Sequence, residues 1–172
     1  MTKGATRRYI SADPKERLGY YKTLNDVPDR YRLYRFADRY EGEDTWSWWC
    51  ETHLYPDAES NGTRKHASLA GRRWRSYTDE HGEAEQHALA TTGDVDGFCG
   101  WLLTEVGMNR RTAHDHYIRF LERFFDDLNW HVDHPHVYNP VLMAAADANP
   151  AADFEDARAV WMMKFERPNG RS

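Results

Sequence analysis

Cysteine is scarce in this 172-residue chain: Cys50 and Cys99 stand far apart and belong to no CxxC pair. Neither a disulfide framework nor a zinc-finger spacing is supported, and both residues read as small buried hydrophobes. Long apolar runs are missing too. No stretch is long and apolar enough to cross a bilayer, and the opening MTKGATRRYISADPKERLGYY lacks the hydrophobic stretch of a signal peptide. The expectation is a soluble, cytoplasmic protein without membrane partners. Alternating strand patterns are also scarce, which leaves an all-α fold. No Walker loop, GxSxG, HExxH or Gly-rich dinucleotide fingerprint occurs, so no cofactor is expected.

What is abundant is charge, unevenly placed. The formal net charge is −5, with Arg outnumbering Lys by 18 to 5 and Asp outnumbering Glu by 16 to 12. A negative total argues against nucleic-acid binding less strongly than a one-sided basic helix argues for it. Such a helix is present: no acidic residue occurs between Ser60 and Thr78, a stretch that a merely solvated helix would fill with both signs.

Along the chain, residues 1–24 are polar, carry Arg7 and Arg8, and read as a mobile or loosely docked arm. After Pro28, the aromatics Tyr31, Tyr34, Phe36 and Tyr40 support a short docking helix, with the stems of Arg30, Arg32, Arg35 and Arg39 packed over them. Asp44 is placed to cap a helix carrying Trp46, Trp49, Cys50 and Leu54, ended by Tyr55-Pro56. The next helix has Ala67, Ala70, Trp74 and Tyr77 on one face. Arg64, Lys65, Ser68, Arg72 and Arg75 lie on the other. Thr92 then reads as the cap of an apolar helix with Val95, Phe98, Cys99, Leu102 and Val106, closed by Gly107.

Asn109 opens the longest pattern, in which Ala113, Tyr117, Phe120, Leu121, Phe124 and Leu128 form a packing stripe. Arg110, Arg111, Arg119 and Arg123 lie away from it. Beyond an irregular His-rich turn, Asn139-Pro140 reads as an N-cap and first helical position. A last helix, Asp153 to Phe165, precedes a tail, RPNGRS, that should fray. The expected helices are 44–55, 62–79, 93–106 and 109–129, with Trp49, Trp74, Phe98, Leu102, Tyr117, Phe120 and Phe124 buried.

This order of a shorter apolar helix, a turn, a longer helix with Arg on its free face and then Asn-Pro resembles the end of the core-binding domain of tyrosine recombinases, the SAM-like N-terminal domain of phage-type integrases. The resemblance reaches back to about Asp44. It implies a four-helix domain of two hairpins over 44–141, flanked by an N-terminal arm and docking helix (1–43) and a helical extension with a tail (142–172). It further implies that the second and fourth helices face double-stranded DNA. On this sequence that assigns Arg64, Lys65, Arg72 and Arg75 from one helix, and Arg110, Arg111, Arg119 and Arg123 from the other. Family members usually continue into a catalytic domain, whereas only about thirty residues follow Asn139-Pro140 here. The string His116-Tyr117-Ile118-Arg119 matches the HxxR catalytic box, but it falls inside the DNA-facing helix, without an upstream Arg box or a suitably placed downstream Tyr.

Two bland readings complete the survey. His131, His134 and His136, with Asp133 among them, offer metal-type ligands, but Pro135 dictates a turn and no second ligand cluster matches, so a surface loop is expected. The seven Trp read mainly as core. The expectation is thus a non-enzymatic DNA-binding protein without a bound metal, an accessory factor or truncated integrase of a mobile element or virus. The alternative is a helical interaction module that partners a separately encoded recombinase catalytic subunit.

Overall fold

In the computed structural model, residues 17–18, 20–57, 60–84, 86–146 and 155–165 are described. The arm residues Arg7 and Arg8 and the RPNGRS tail lie outside them. All regular structure among the described residues is helical, with no strand.

The chain enters through three 3₁₀ turns, Leu24–Asp26, Asp29–Tyr31 and Leu33–Phe36, followed by a short helix α1, Ala37–Tyr40. A single docking helix was expected after Pro28. The break comes at Arg32, whose φ of −72° and ψ of 141° are extended and interrupt helical hydrogen bonding. Val27, Leu33 and Tyr40 fix the segment to the core. The guanidinium groups of Arg30 and Arg35 lie 4.6 and 5.7 Å from the ring centroids of Tyr31 and Tyr34, whereas Arg32 donates to the Val27 carbonyl and Arg39 to that of Asp133.

The first hairpin follows. Helix α2, Thr45–Trp49, continues as the π-helical turn Cys50–Leu54, and the Asp44 carboxylate accepts from the Ser47 amide at 3.1 Å as its cap. Helix α3, Asn61–His81, is capped by Ser60 and buries Ala67, Ala70, Gly71, Trp74 and Thr78. The Trp46 indole donates to the Ala67 carbonyl at 3.1 Å, and Gly71 makes room for that ring, because a Cβ there would lie 2.1 Å from Trp46 Nε1.

The linker between the hairpins is fastened by one carboxylate. Asp94 accepts from the backbone amides of Glu83 (2.7 Å), Ala84 (3.3 Å) and Thr91 (3.1 Å), while the Thr91 hydroxyl accepts from the Asp94 amide. Thr91, rather than the expected Thr92, is therefore the cap of α4, Thr92–Trp101, because Asp94 stands three residues after Thr91 and closes the reciprocal pair. Helix α4 continues as the π turn Leu102–Val106 and stops at Gly107, whose φ of +84° favours glycine.

Helix α5 runs through Arg110–Ala113, the π turn His114–Ile118 and Arg119–Trp130, with Asn109 accepting from the Thr112 amide at 2.8 Å. Each i→i+5 turn inserts an extra residue into the helical period. In α5 this brings His114 and Ile118 inward together with Ala113 and Tyr117, so the buried arc is wider than the sequence stripe and also takes in Glu122 and Phe125. Asn139 caps α6, Pro140–Ala146, through the Val141 amide at 2.9 Å, and α7, Glu155–Met162, ends in the 3₁₀ turn Met163–Phe165.

Helix α3 packs on α5, while α4 packs on α6 and α7. All residues of α6 are buried, so this part of the expected extension belongs to the same core as the hairpins. The core is a continuous aromatic stack: Trp46 lies 4.8 Å from Phe124, Phe124 4.9 Å from Phe125, and Trp74 5.0 Å from Phe98, between ring centroids. Trp49, Trp74, Phe98, Leu102, Tyr117, Phe120 and Phe124 are all buried. Trp130 departs from the expectation for tryptophan, being 81% exposed at the end of α5.

Candidate nucleic-acid interface

The two basic helices lie side by side. His66 of α3 stacks on His116 of α5 with ring centroids 3.9 Å apart and planes 24° from parallel. Burial and the neighbouring His66 hold the His116 pKa below the ordinary histidine value. Lys65 and Arg119 follow within a turn of these rings, so cations from both helices border one seam.

The eight expected contact residues divide into three groups. Lys65, Arg72 and Arg110 are exposed and form no hydrogen bond or ion pair among the described residues. Arg64 is exposed too, with its guanidinium 5.0 Å from the Tyr55 ring centroid. The remaining four are engaged by protein. Arg111 approaches Asp115 at 3.8 Å, and the Arg119 Nε donates to the Asp115 carbonyl at 2.6 Å while its guanidinium lies over Phe120. Arg123 reaches Asp57 at 3.4 Å and Asp127 at 4.0 Å. Arg75 binds both carboxylate oxygens of Asp44 at 2.7 Å and the Gly71 carbonyl at 3.0 Å. Its position is the clearest departure from the sequence assignment, since it points along the flank of α3 that meets α2. That pairing spans 31 residues and has no local signature.

Arg73, which the sequence stripe does not mark, lies on the α5 side with its guanidinium 5.8 Å from the Tyr117 centroid and its NH1 buried without a partner. Within the HxxR string, His116 stacks on His66 and Arg119 turns back onto its own helix.

The opposite character appears beside α1 and α2. A cavity of about 680 Å³ is lined by Asp38, Glu41, Glu43, Asp44, Asp79 and Glu83, with Arg75 as the cation facing it. Such a surface repels phosphate.

The His-rich turn differs from a plain surface loop. His131 and His134 pack around Trp48 at 5.2 and 5.1 Å, joined by His53 at 5.1 Å. His136 is 4% exposed and donates from Nε2 to the Ala88 carbonyl at 2.6 Å, which draws the end of the turn into the core. Among the described residues no three His, Cys, Asp or Glu converge where a metal ion could sit. The cysteines are buried, and burial raises their thiol pKa values, that of Cys50 to about 11. No described helix is long and apolar enough to cross a membrane.

A second buried network escaped the sequence reading. The Glu122 carboxylate, 8% exposed, accepts from Trp161 Nε1 at 2.8 Å and Lys164 at 2.9 Å, and pairs with Arg17 at 2.9 Å. Its partners Trp161 and Lys164 stand 39 and 42 residues away, so no local pattern announces it.

Compared with protein-family models, curated proteins and solved structures, the chain matches none of them.

Proposed function

We propose that this chain binds duplex DNA along the α3–α5 seam, chiefly through phosphate contacts, as a non-catalytic protein resembling the core-binding domain of a tyrosine recombinase or integrase. The observation that carries the reading is the contact between the two basic helices at His66 and His116, which brings the turn of α3 carrying Lys65 against the turn of α5 carrying Arg119. In this reading the two hairpins form a SAM-like four-helix unit from 44 to 141.

Lys65, Arg72 and Arg110 are the principal contacts, because no protein carboxylate has to be displaced from them. Arg64 supports them from its perch on Tyr55. Arg111, Arg119 and Arg123 bind phosphate only by exchanging Asp115, Asp57 or Asp127 for it, a smaller net gain for exposed pairs. Arg75 contributes least, being held by Asp44 at the edge of the acidic cavity. A mobile-element or viral context, with a role as accessory factor or truncated integrase, belongs to the same proposal.

A duplex titration at about 50 mM salt tests it, where phosphate-driven binding is strong. Lys65→Ala with Arg72→Ala is expected to weaken binding across unrelated sequences. The interaction-module alternative, with a recombinase catalytic subunit as partner, expects no duplex affinity in the unmodified protein.

A further inference from the structure

The second cavity, of about 300 Å³, has an unusual lining for a surface depression. Trp48, Tyr40, His131 and His134 wall it, while Glu43, Asp44 and Asp133 stand at its rim against one cation, Arg39. The rings meet at steep angles: His131 is turned 80° to Trp48 and His134 52°, which presents both faces and edges to the space between them. The walls are fixed from several directions. The Tyr40 hydroxyl and His134 Nδ1 share a hydrogen bond, Arg39 donates to the Asp133 carbonyl, and His53 packs on Trp48 from behind.

Aromatic faces attract cations, and the Glu43 and Asp133 carboxylates at the rim reinforce that choice, Asp44 being already paired with Arg75, so the pocket suits an ammonium or guanidinium head on an aliphatic stem. Its volume of about 300 Å³ accommodates one long side chain. It does not stand alone. Glu43 and Asp44 also line the larger acidic cavity, so the aromatic pocket opens beside a surface carrying Asp38, Glu41, Asp79 and Glu83. Trp130 and Val132, the chain neighbours of His131, are 81% and 95% exposed. An aromatic pocket continuous with a carboxylate-lined cavity matches an extended segment rather than a point ligand.

We infer that this groove binds a linear basic peptide segment of a partner protein, one Lys or Arg side chain entering the Trp48 pocket and the following basic residues lying over the carboxylates. The site is separate from the α3–α5 seam and does not depend on duplex binding there.

The test is calorimetric titration of the full chain, without DNA, with a blocked peptide of alternating Arg and Lys, and in parallel with N-acetyl-arginine amide. One-to-one peptide binding at about 50 mM salt is expected, with Trp48→Ala weakening it at least about tenfold. Because Trp48 is partly buried, Glu41→Gln with Glu43→Gln serves as a second variant: both residues are exposed, so helix content should hold while affinity falls. Absence of peptide binding, or affinity in both variants equal to that of the unmodified protein, overturns the inference. So does binding of the single amino-acid amide as tight as that of the peptide, which would make the pocket a small-cation site.

Discussion

The His87 imidazole accepts the backbone amide of Trp46 at Nε2, at 3.0 Å, and so ties the start of α2 to the linker before α4. This bond requires an unprotonated Nε2, and the same residue's carbonyl accepts from the Trp74 indole at 3.1 Å. A neutral histidine thus holds the first hairpin to the linker, and acid should release it.

Burial pushes the pKa of His87 and of His136 from 6.5 down to about 4. Between these values the folded state binds fewer protons than the unfolded chain. The stability from each group is fully present above pH 6.5 and is lost as the pH falls toward about 4, by roughly 3 kcal/mol per histidine at most. Denaturant midpoints are expected to drop steeply over that window, and His136→Gln, which keeps a donor for the Ala88 carbonyl, should flatten the slope. A pH-independent midpoint across the window would refute this.

Glu122 is expected to be among the most sensitive positions in the molecule. Glu122→Ala leaves Lys164, 19% exposed, facing Arg17 without a carboxylate and strips the Trp161 indole of its acceptor. Breaking one partner of a buried pair costs about 3–5 kcal/mol, whereas Glu122→Met with Lys164→Met should recover part of it, with Arg17 and the Trp161 indole still lacking their acceptor. Equilibrium unfolding of the single and double variants reads the difference.

Two glycines on α3 should behave in opposite ways. Gly71→Ala drives a methyl into the Trp46 indole and should cost about 1–3 kcal/mol, since Trp46 is itself enclosed and hydrogen-bonded. Gly62→Ala meets only the Ser60 hydroxyl at 3.6 Å and should be neutral or stabilising by up to about 1 kcal/mol. Equal effects of the two substitutions on thermal midpoint would contradict the packing of α2 on α3.

Among the basic residues, Lys65→Ala and Arg72→Ala should each reduce the salt slope of duplex binding by about one. Arg75→Ala should leave the slope unchanged and act only on stability, through loss of the Asp44 contact. A slope change for Arg75→Ala as large as that for Arg72→Ala would show that the Asp44 pair opens on binding.

Helix starts were legible in the sequence because their chemistry is local: Asp44, Asn109 and Asn139 each cap within three residues. The one-residue slip at Thr91 came from two adjacent threonines, between which only the partner carboxylate of Asp94 decides. The core aromatics followed from helical spacing, but the π turns did not, because an inserted residue leaves no compositional mark and changes which side chains face inward. Glu122 was missed because the partners that bury it, Trp161 and Lys164, stand 39 and 42 residues away. The basic stripe of α3 was visible as a run without acids, whereas its neutralisation at Arg75 depends on a contact across 31 residues. The aromatic pocket joins residues of α1, α2 and the turn after α5, which no single stretch of sequence displays.

The most direct test of the proposed function is the affinity of the unmodified protein for unrelated duplexes measured against salt concentration. The expected result is saturable binding at about 50 mM salt, similar across sequences, with a log–log slope of about −3 to −6 for phosphate contacts from both helices. No shift of any duplex at that salt, or an affinity that ignores salt, would contradict it.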